Sequence, residues 1–121
     1  MGCSGKHLYQ PSSSSKNLQI SIFEKGKPVT PNKDINLNIF VIDNNSKLIY
    51  LGTVDLQKKD VFLSLPINKK LALDVEFKEW LFGGGESSTV ERHTLFTKAK
   101  KKYQLKINYF KNFYDIKLLK K

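Results

Sequence analysis

Ile35-Asn36-Leu37-Asn38-Ile39-Phe40-Val41-Ile42 is the stretch that decides the fold. Ile35, Leu37, Ile39 and Val41 fall on one side of an extended chain, and Asn36 and Asn38 on the other. That period of two marks a half-buried antiparallel strand. Asp43-Asn44-Asn45-Ser46 follows, a run of residues that tolerate unusual backbone angles, and Lys47 to Val54 returns as the second arm of a hairpin.

The same pattern recurs on both sides. Leu71, Leu73, Val75 and Phe77 alternate with Asp74 and Glu76; Tyr103, Leu105, Ile107 and Tyr109 alternate with Gln104, Lys106 and Asn108. Asn17 to Glu24 sets Leu18, Ile20 and Ile22 against Gln19 and Ser21, until Lys25-Gly26-Lys27-Pro28 breaks it. Lys59 to Leu65 carries Val61, Leu63 and Leu65 and stops at Pro66. Thr89 to Phe96 reads as a strand with a weaker pattern, and Phe113 to Leu119 as the last, with Tyr114, Ile116 and Leu118 inward. No window of ten or more residues holds a helical period. The spacing predicts an all-β, antiparallel immunoglobulin-like β-sandwich of about seven or eight strands. A small barrel fits less well, because each strand shows one apolar and one polar face, as two stacked sheets require. Tyr103 opens a late strand with Leu105 two residues on, the place of a corner tyrosine followed by a core residue. Leu105 stands where a second cysteine usually does and Trp80 is not on an early strand, so the likeness is architectural.

Residues 1–16 read as an anchor and tether, and 17–121 as the sandwich domain. Cys3 is the single cysteine. Nothing around it is apolar enough to bury it, and it has no disulfide partner in the chain. Lipidation is the third reading. A myristoylated glycine beside a palmitoylated cysteine wants Ser or Thr at the sixth position, where Lys6 stands. Gly2-Cys3-Ser4 fits the join left when a signal peptide is cut at a lipobox, with Met1 an added initiator. The Ser, Gly and Lys that follow are too polar to fold independently.

The formal charge of +10 attracts anionic surfaces. Its make-up matters more than its size: Arg92 is the single arginine, and every other positive residue is lysine. Reading phosphate and base edges leans on the planar fork of arginine, which argues against nucleic acid as a partner. Lys98, Lys100, Lys101 and Lys102 form the densest run. Dispersed lysine without an apolar wedge is expected to hold lipid weakly.

Anchor, tether and a Lys-, Asn- and Ile-rich sandwich together resemble the small surface lipoproteins of AT-rich Gram-negative bacteria, at least one of which has a variant immunoglobulin-like fold. The resemblance covers the whole chain and rests on one specific motif, Gly2-Cys3. It implies diacylglycerol and palmitate-type acyl chains on Cys3. Ser4 is compatible with sorting to the outer membrane, facing the periplasm or the surface. Only the Gly-Cys end of the lipobox stands in the sequence, so compartment and sorting are inferred.

Catalysis is not expected. His7 and His93 have no Cys or His neighbours at metal spacing, no nucleophile elbow appears, and Gly83-Gly84-Gly85 lacks the Lys-Ser/Thr of a phosphate loop. His93 reads as a surface strand residue, and Asp74 and Glu76 as solvent-facing carboxylates. No catalytic residue, metal ligand or cofactor is expected. The function read from these residues is a non-catalytic interaction module, adhesin-like or a secretion-machine accessory, contacting another envelope or host protein. The alternative is an inhibitor or ligand-binding lipoprotein. A third option is an oligonucleotide-binding barrel that uses Tyr103, Tyr109 and Tyr114, although these alternate as core residues do. Lys78 to Ser88 is the partner-contact candidate: Trp80, Leu81 and Phe82 are consecutive, so an extended chain cannot bury all three on one face. The competing reading has Trp80 and Phe82 plugging an open end of the sandwich.

Overall fold

The computed structural model describes residues 8–10, 16–30, 34–80, 84–110 and 113–120. Nine strands carry the chain: β1 (Leu18–Glu24), β2 (Lys27–Pro28), β3 (Asp34–Ile42), β4 (Leu48–Asp55), β5 (Asp60–Leu63), β6 (Lys70–Trp80), β7 (Glu86–Phe96), β8 (Tyr103–Phe110) and β9 (Phe113–Lys120). They form two sheets. One runs β4-β3-β6-β7, and the other β2-β1-β8-β9 with β5 beside β2 on the free side of β1. The all-β sandwich expected from the alternation is the fold observed. The strand beyond the expected eight is β2, two residues long, at the Lys27-Pro28 break.

Alternation fixes which residues meet between the sheets. Ile35, Leu37 and Ile39 of β3 and Leu71, Leu73, Val75 and Phe77 of β6 are buried, facing Leu18, Ile20 and Ile22 of β1 and Leu105, Ile107 and Tyr109 of β8. Phe77 stacks on Tyr114 across the gap, ring centroids 3.8 Å apart. Tyr103 and Tyr109 are almost fully buried, so neither offers a stacking platform to a base. The Tyr103 hydroxyl accepts a hydrogen bond from the Lys98 N–H at 3.0 Å, the backward reach of a corner tyrosine. One pairing departs from the antiparallel pattern: β1 runs parallel to β8 from Leu18↔Tyr103 to Glu24↔Tyr109.

Tyr9, inside the segment read as tether, belongs to the core. Its N–H donates to the Thr53 carbonyl at 3.0 Å, and its hydroxyl donates to the Ser64 carbonyl at 2.7 Å. It therefore ties β4 of one sheet to the end of β5 in the other. Gly52 makes room. A Cβ there would sit 2.4 Å from the Tyr9 Cα, and its φ of +150° disfavours any side chain. Leu51, next to it, is the extra residue of a β-bulge in the β3–β4 ladder. Burial pushes the Tyr9 phenol above its ordinary pKa.

Candidate functional site

β6 and β7 are the longest strands, eleven residues each, paired from Lys70↔Phe96 to Trp80↔Glu86. The β3 ladder on the other side of β6 stops at Asp34↔Lys78. Among the described residues, Glu79 and Trp80 pair with β7 alone. Residues Ser87 to Val90 of β7 are all exposed, although successive strand side chains point to opposite faces. Both faces of β7 are wet there. Gly84 has φ +98° and nothing within 4 Å of where a Cβ would stand, so it serves the turn and no packing contact.

Of the three residues expected to contact a partner, Trp80 is the one among the described residues. Trp80 ends β6, whereas sequence reading placed it in an irregular stretch beginning at Lys78. The strand runs on because its pairing with β7 continues to Trp80↔Glu86. Leu81 and Phe82 lie outside the described residues, as does Cys3.

The outer face of the four-stranded sheet carries a second arrangement, which the sequence reading missed. Asp74 was expected in solvent, but it is only 6% exposed. Arg92, its register partner on β7, grips it in a fork: Nε donates to one carboxylate oxygen at 2.6 Å and Nη2 to the other at 2.7 Å. These hydrogen bonds raise the Arg92 pKa above its ordinary value. The guanidinium lies 5.8 Å from the Phe40 ring centroid, and Phe40 packs on Tyr50 at 5.5 Å. Tyr50 and Thr53 share a short hydroxyl contact, and Thr53 donates to Asn38 at 2.6 Å. Among the described residues no buried polar side-chain atom lacks a partner, and the cluster is a surface clasp across four strands. It leaves no reactive group free. The chain's one arginine is thereby used internally.

His93 is half-buried on β7 and bonded to Glu91 at 2.7 Å, two residues away on the same side of the strand. No third titratable group joins them. Among the described residues, no three His, Cys, Asp or Glu side chains are placed to hold a metal ion. On the outer face of the other sheet, Phe23, Lys106, Asn108, Asp115 and Lys117 line an open groove of about 410 Å³. Asn108 accepts from the Gly26 N–H at 3.1 Å, and the Lys106 ammonium lies 5.9 Å from the Phe23 ring.

The chain is similar in fold to transthyretin. Sea bream transthyretin in complex with thyroxine matches with a TM-score of 0.60 at 13% identity, covering 87% of this chain and 96% of that one. A second structure, transthyretin from Sparus aurata, gives 0.58 at 12% identity over 87% and 97% of the two chains. At this identity the likeness is one of fold. No protein-family model and no curated protein matches the sequence.

Proposed function

We propose that the chain is a lipid-anchored bacterial envelope protein of the outer membrane, acylated on Cys3, whose sandwich is a non-catalytic interaction module. Trp80, Leu81 and Phe82, in the sequence that follows β6, make its contact with another envelope or host protein, in an adhesin-like or secretion-accessory role. The observation that carries this reading is the β6–β7 hairpin, whose β7 strand is exposed on both faces from Ser87 to Val90 and whose β6 strand leads in sequence into three consecutive large apolar residues. A wet arm ending in apolar side chains suits partner capture, since exposed aromatic anchors dominate interfaces. The non-catalytic part rests on the sequence, which sets no nucleophile beside a base. The similarity to a fold solved with a small molecule bound agrees with a binding role.

Two substitutions test it. Expressed with a native signal in a Gram-negative host, the wild type should partition into detergent and Cys3→Ala should not; equal partitioning removes the anchor. Trp80→Ala should leave the melting temperature nearly unchanged and abolish envelope-partner capture. A loss of about 3–5 kcal/mol would instead put the indole in the core and end the site reading.

The second reading, a ligand-binding or inhibitor lipoprotein, is favoured by the groove over Phe23 and Lys106, whose size suits a small molecule. Saturable binding of an amphipathic anion, weakened by Lys106→Ala and indifferent to Trp80→Ala, would establish it.

A further inference from the structure

The topology gathers lysine at the end of the sandwich opposite the tip of the β6–β7 ribbon. The turn between β3 and β4 brings Lys47, and the β5–β6 loop brings Lys69, with Lys70 at the head of β6. The β7–β8 loop brings Lys98, Lys100, Lys101 and Lys102; Lys16 before β1 and Lys120 in β9 complete the set. All are exposed. Among the described residues the one side-chain carboxylate at this end, Asp43, is occupied in its own turn, accepting from the N–H groups of Asn45 at 2.8 Å and Lys47 at 2.9 Å. At the opposite end Lys25, Lys27, Lys58 and Lys59 are interspersed with Glu24, Asp34, Asp55 and Asp60. The positive field is therefore one-sided.

This end also carries apolar side chains. Ile49, Ile67 and Phe96 are each about half exposed, and Ile49 and Phe96 line one shallow groove with Lys69 and Lys70. It is held in shape. The buried Thr97 hydroxyl donates to the Pro66 carbonyl at 2.6 Å, and the Asn68 and Thr97 N–H groups bond across the two loops at 2.8 and 3.0 Å. The Asn17 side chain clasps the backbone of Leu65 at both its N–H and its carbonyl.

Chain direction supplies the remaining observation. Leu8 bridges Thr53 in parallel, so the polypeptide enters the sandwich from the side of the 43–47 turn. Cys3 stands five residues before Leu8, as Leu48 stands five before Thr53. Five residues at full stretch span about 17 Å, which bounds the distance of Cys3 from Leu8.

We propose that the lysine-rich end is a docking face for the anionic lipid headgroups of the membrane that holds the Cys3 anchor. This rests on the lipid-anchor reading and extends it from attachment to orientation. Lysine near an anionic leaflet gains affinity from each charge, roughly fivefold apiece. The apolar wedge that a dispersed lysine run lacks is present here in Ile49, Ile67 and Phe96. Lipid is favoured over a nucleic acid because no arginine fork is available and because three half-exposed apolar side chains stand among the lysines.

The test couples the full chain through Cys3, its single thiol, to a maleimide-headgroup lipid. One vesicle population is phosphatidylcholine alone, and the other has added phosphatidylglycerol. Lysine acetylation is then read by mass spectrometry. On the anionic vesicles Lys47, Lys69, Lys98 and Lys100 to Lys102 should lose reactivity roughly fivefold, Lys25, Lys27 and Lys58 should not, and high salt should erase the difference. Replacing the lysines at 98, 100, 101 and 102 by Gln should abolish the protection while leaving the circular dichroism spectrum unchanged. Equal reactivity at both ends, or protection of the ribbon end, overturns the proposal. So does tighter binding of the Cys3→Ser chain to single-stranded RNA than to the anionic vesicles. Because the coupling is chemical, failure of native acylation leaves this result standing, and the footprint can fail while acylation holds.

Discussion

At the end carrying the 43–47, 64–69 and 97–102 loops, side chains bond back to the backbone at each crossing, whereas at the other end the β6–β7 ribbon outruns its last β3 partner. Asp43 closes one loop, Thr97 and Asn17 lock the next, and Tyr103 holds the third. Among the described residues, only β7 pairs with the last residues of β6. The difference teaches how one small sandwich serves two demands. Fixed loops present many charges at constant spacing, and a wet ribbon can change its side chains at little cost to the core.

The substitution expected to break this contrast most strongly is Tyr9→Ala. It empties a site between the sheets and removes the hydroxyl tie to Ser64, and should cost about 3–5 kcal/mol by urea denaturation of the full chain. A loss under about 1 kcal/mol would mean that the segment only rests on the surface. Next is Thr97→Val, which keeps the volume and deletes a fully buried hydroxyl that bonds Pro66; about 1–3 kcal/mol should be lost and Thr97→Ser should recover most of it. A smaller effect is confined to alkaline solution. Burial raises the Tyr9 pKa in the folded chain, so above about pH 10 the folded state holds more protons than the unfolded one and stability falls as pH rises. Tyr9→Phe should flatten that decline relative to the wild type; parallel slopes would refute the assignment. Smallest of all, Val90→Ser on the ribbon should shift stability by less than about 0.5 kcal/mol, and a larger loss would mean that the ribbon is packed.

Much of the fold was legible because alternation is local. Ile35, Leu37 and Ile39, or Leu71 to Phe77, announce a buried face within one strand's length, and all of them are buried. What escaped needed partners distant in sequence. Leu8-Tyr9 is a lone apolar pair in a polar segment, and only the gap above Gly52 shows where it goes. Asp74 looks solvated until Arg92, eighteen residues on, arrives across the ladder. The lysine-rich end is scattered along the sequence from Lys16 to Lys120 and becomes one surface only through the strand order. Of the residues singled out beforehand, Trp80 lies where β6 ends, while Cys3, Leu81 and Phe82 fall outside the described residues.

The parallel ladder between β1 and β8 has a consequence in time. Leu18 finds its neighbour at Tyr103, and a strand from the start of the chain sits in mid-sheet against one from near the end. Closing so long a loop is slow, and it must precede the contacts that repay it. A chain with this connectivity folds on the order of milliseconds to seconds, as sandwiches dominated by non-local pairing do. It also cannot complete its core until residues beyond 103 have been made. A nascent or partly delivered chain therefore remains threadable for most of its length, and commits to its folded form only when its last fifth arrives.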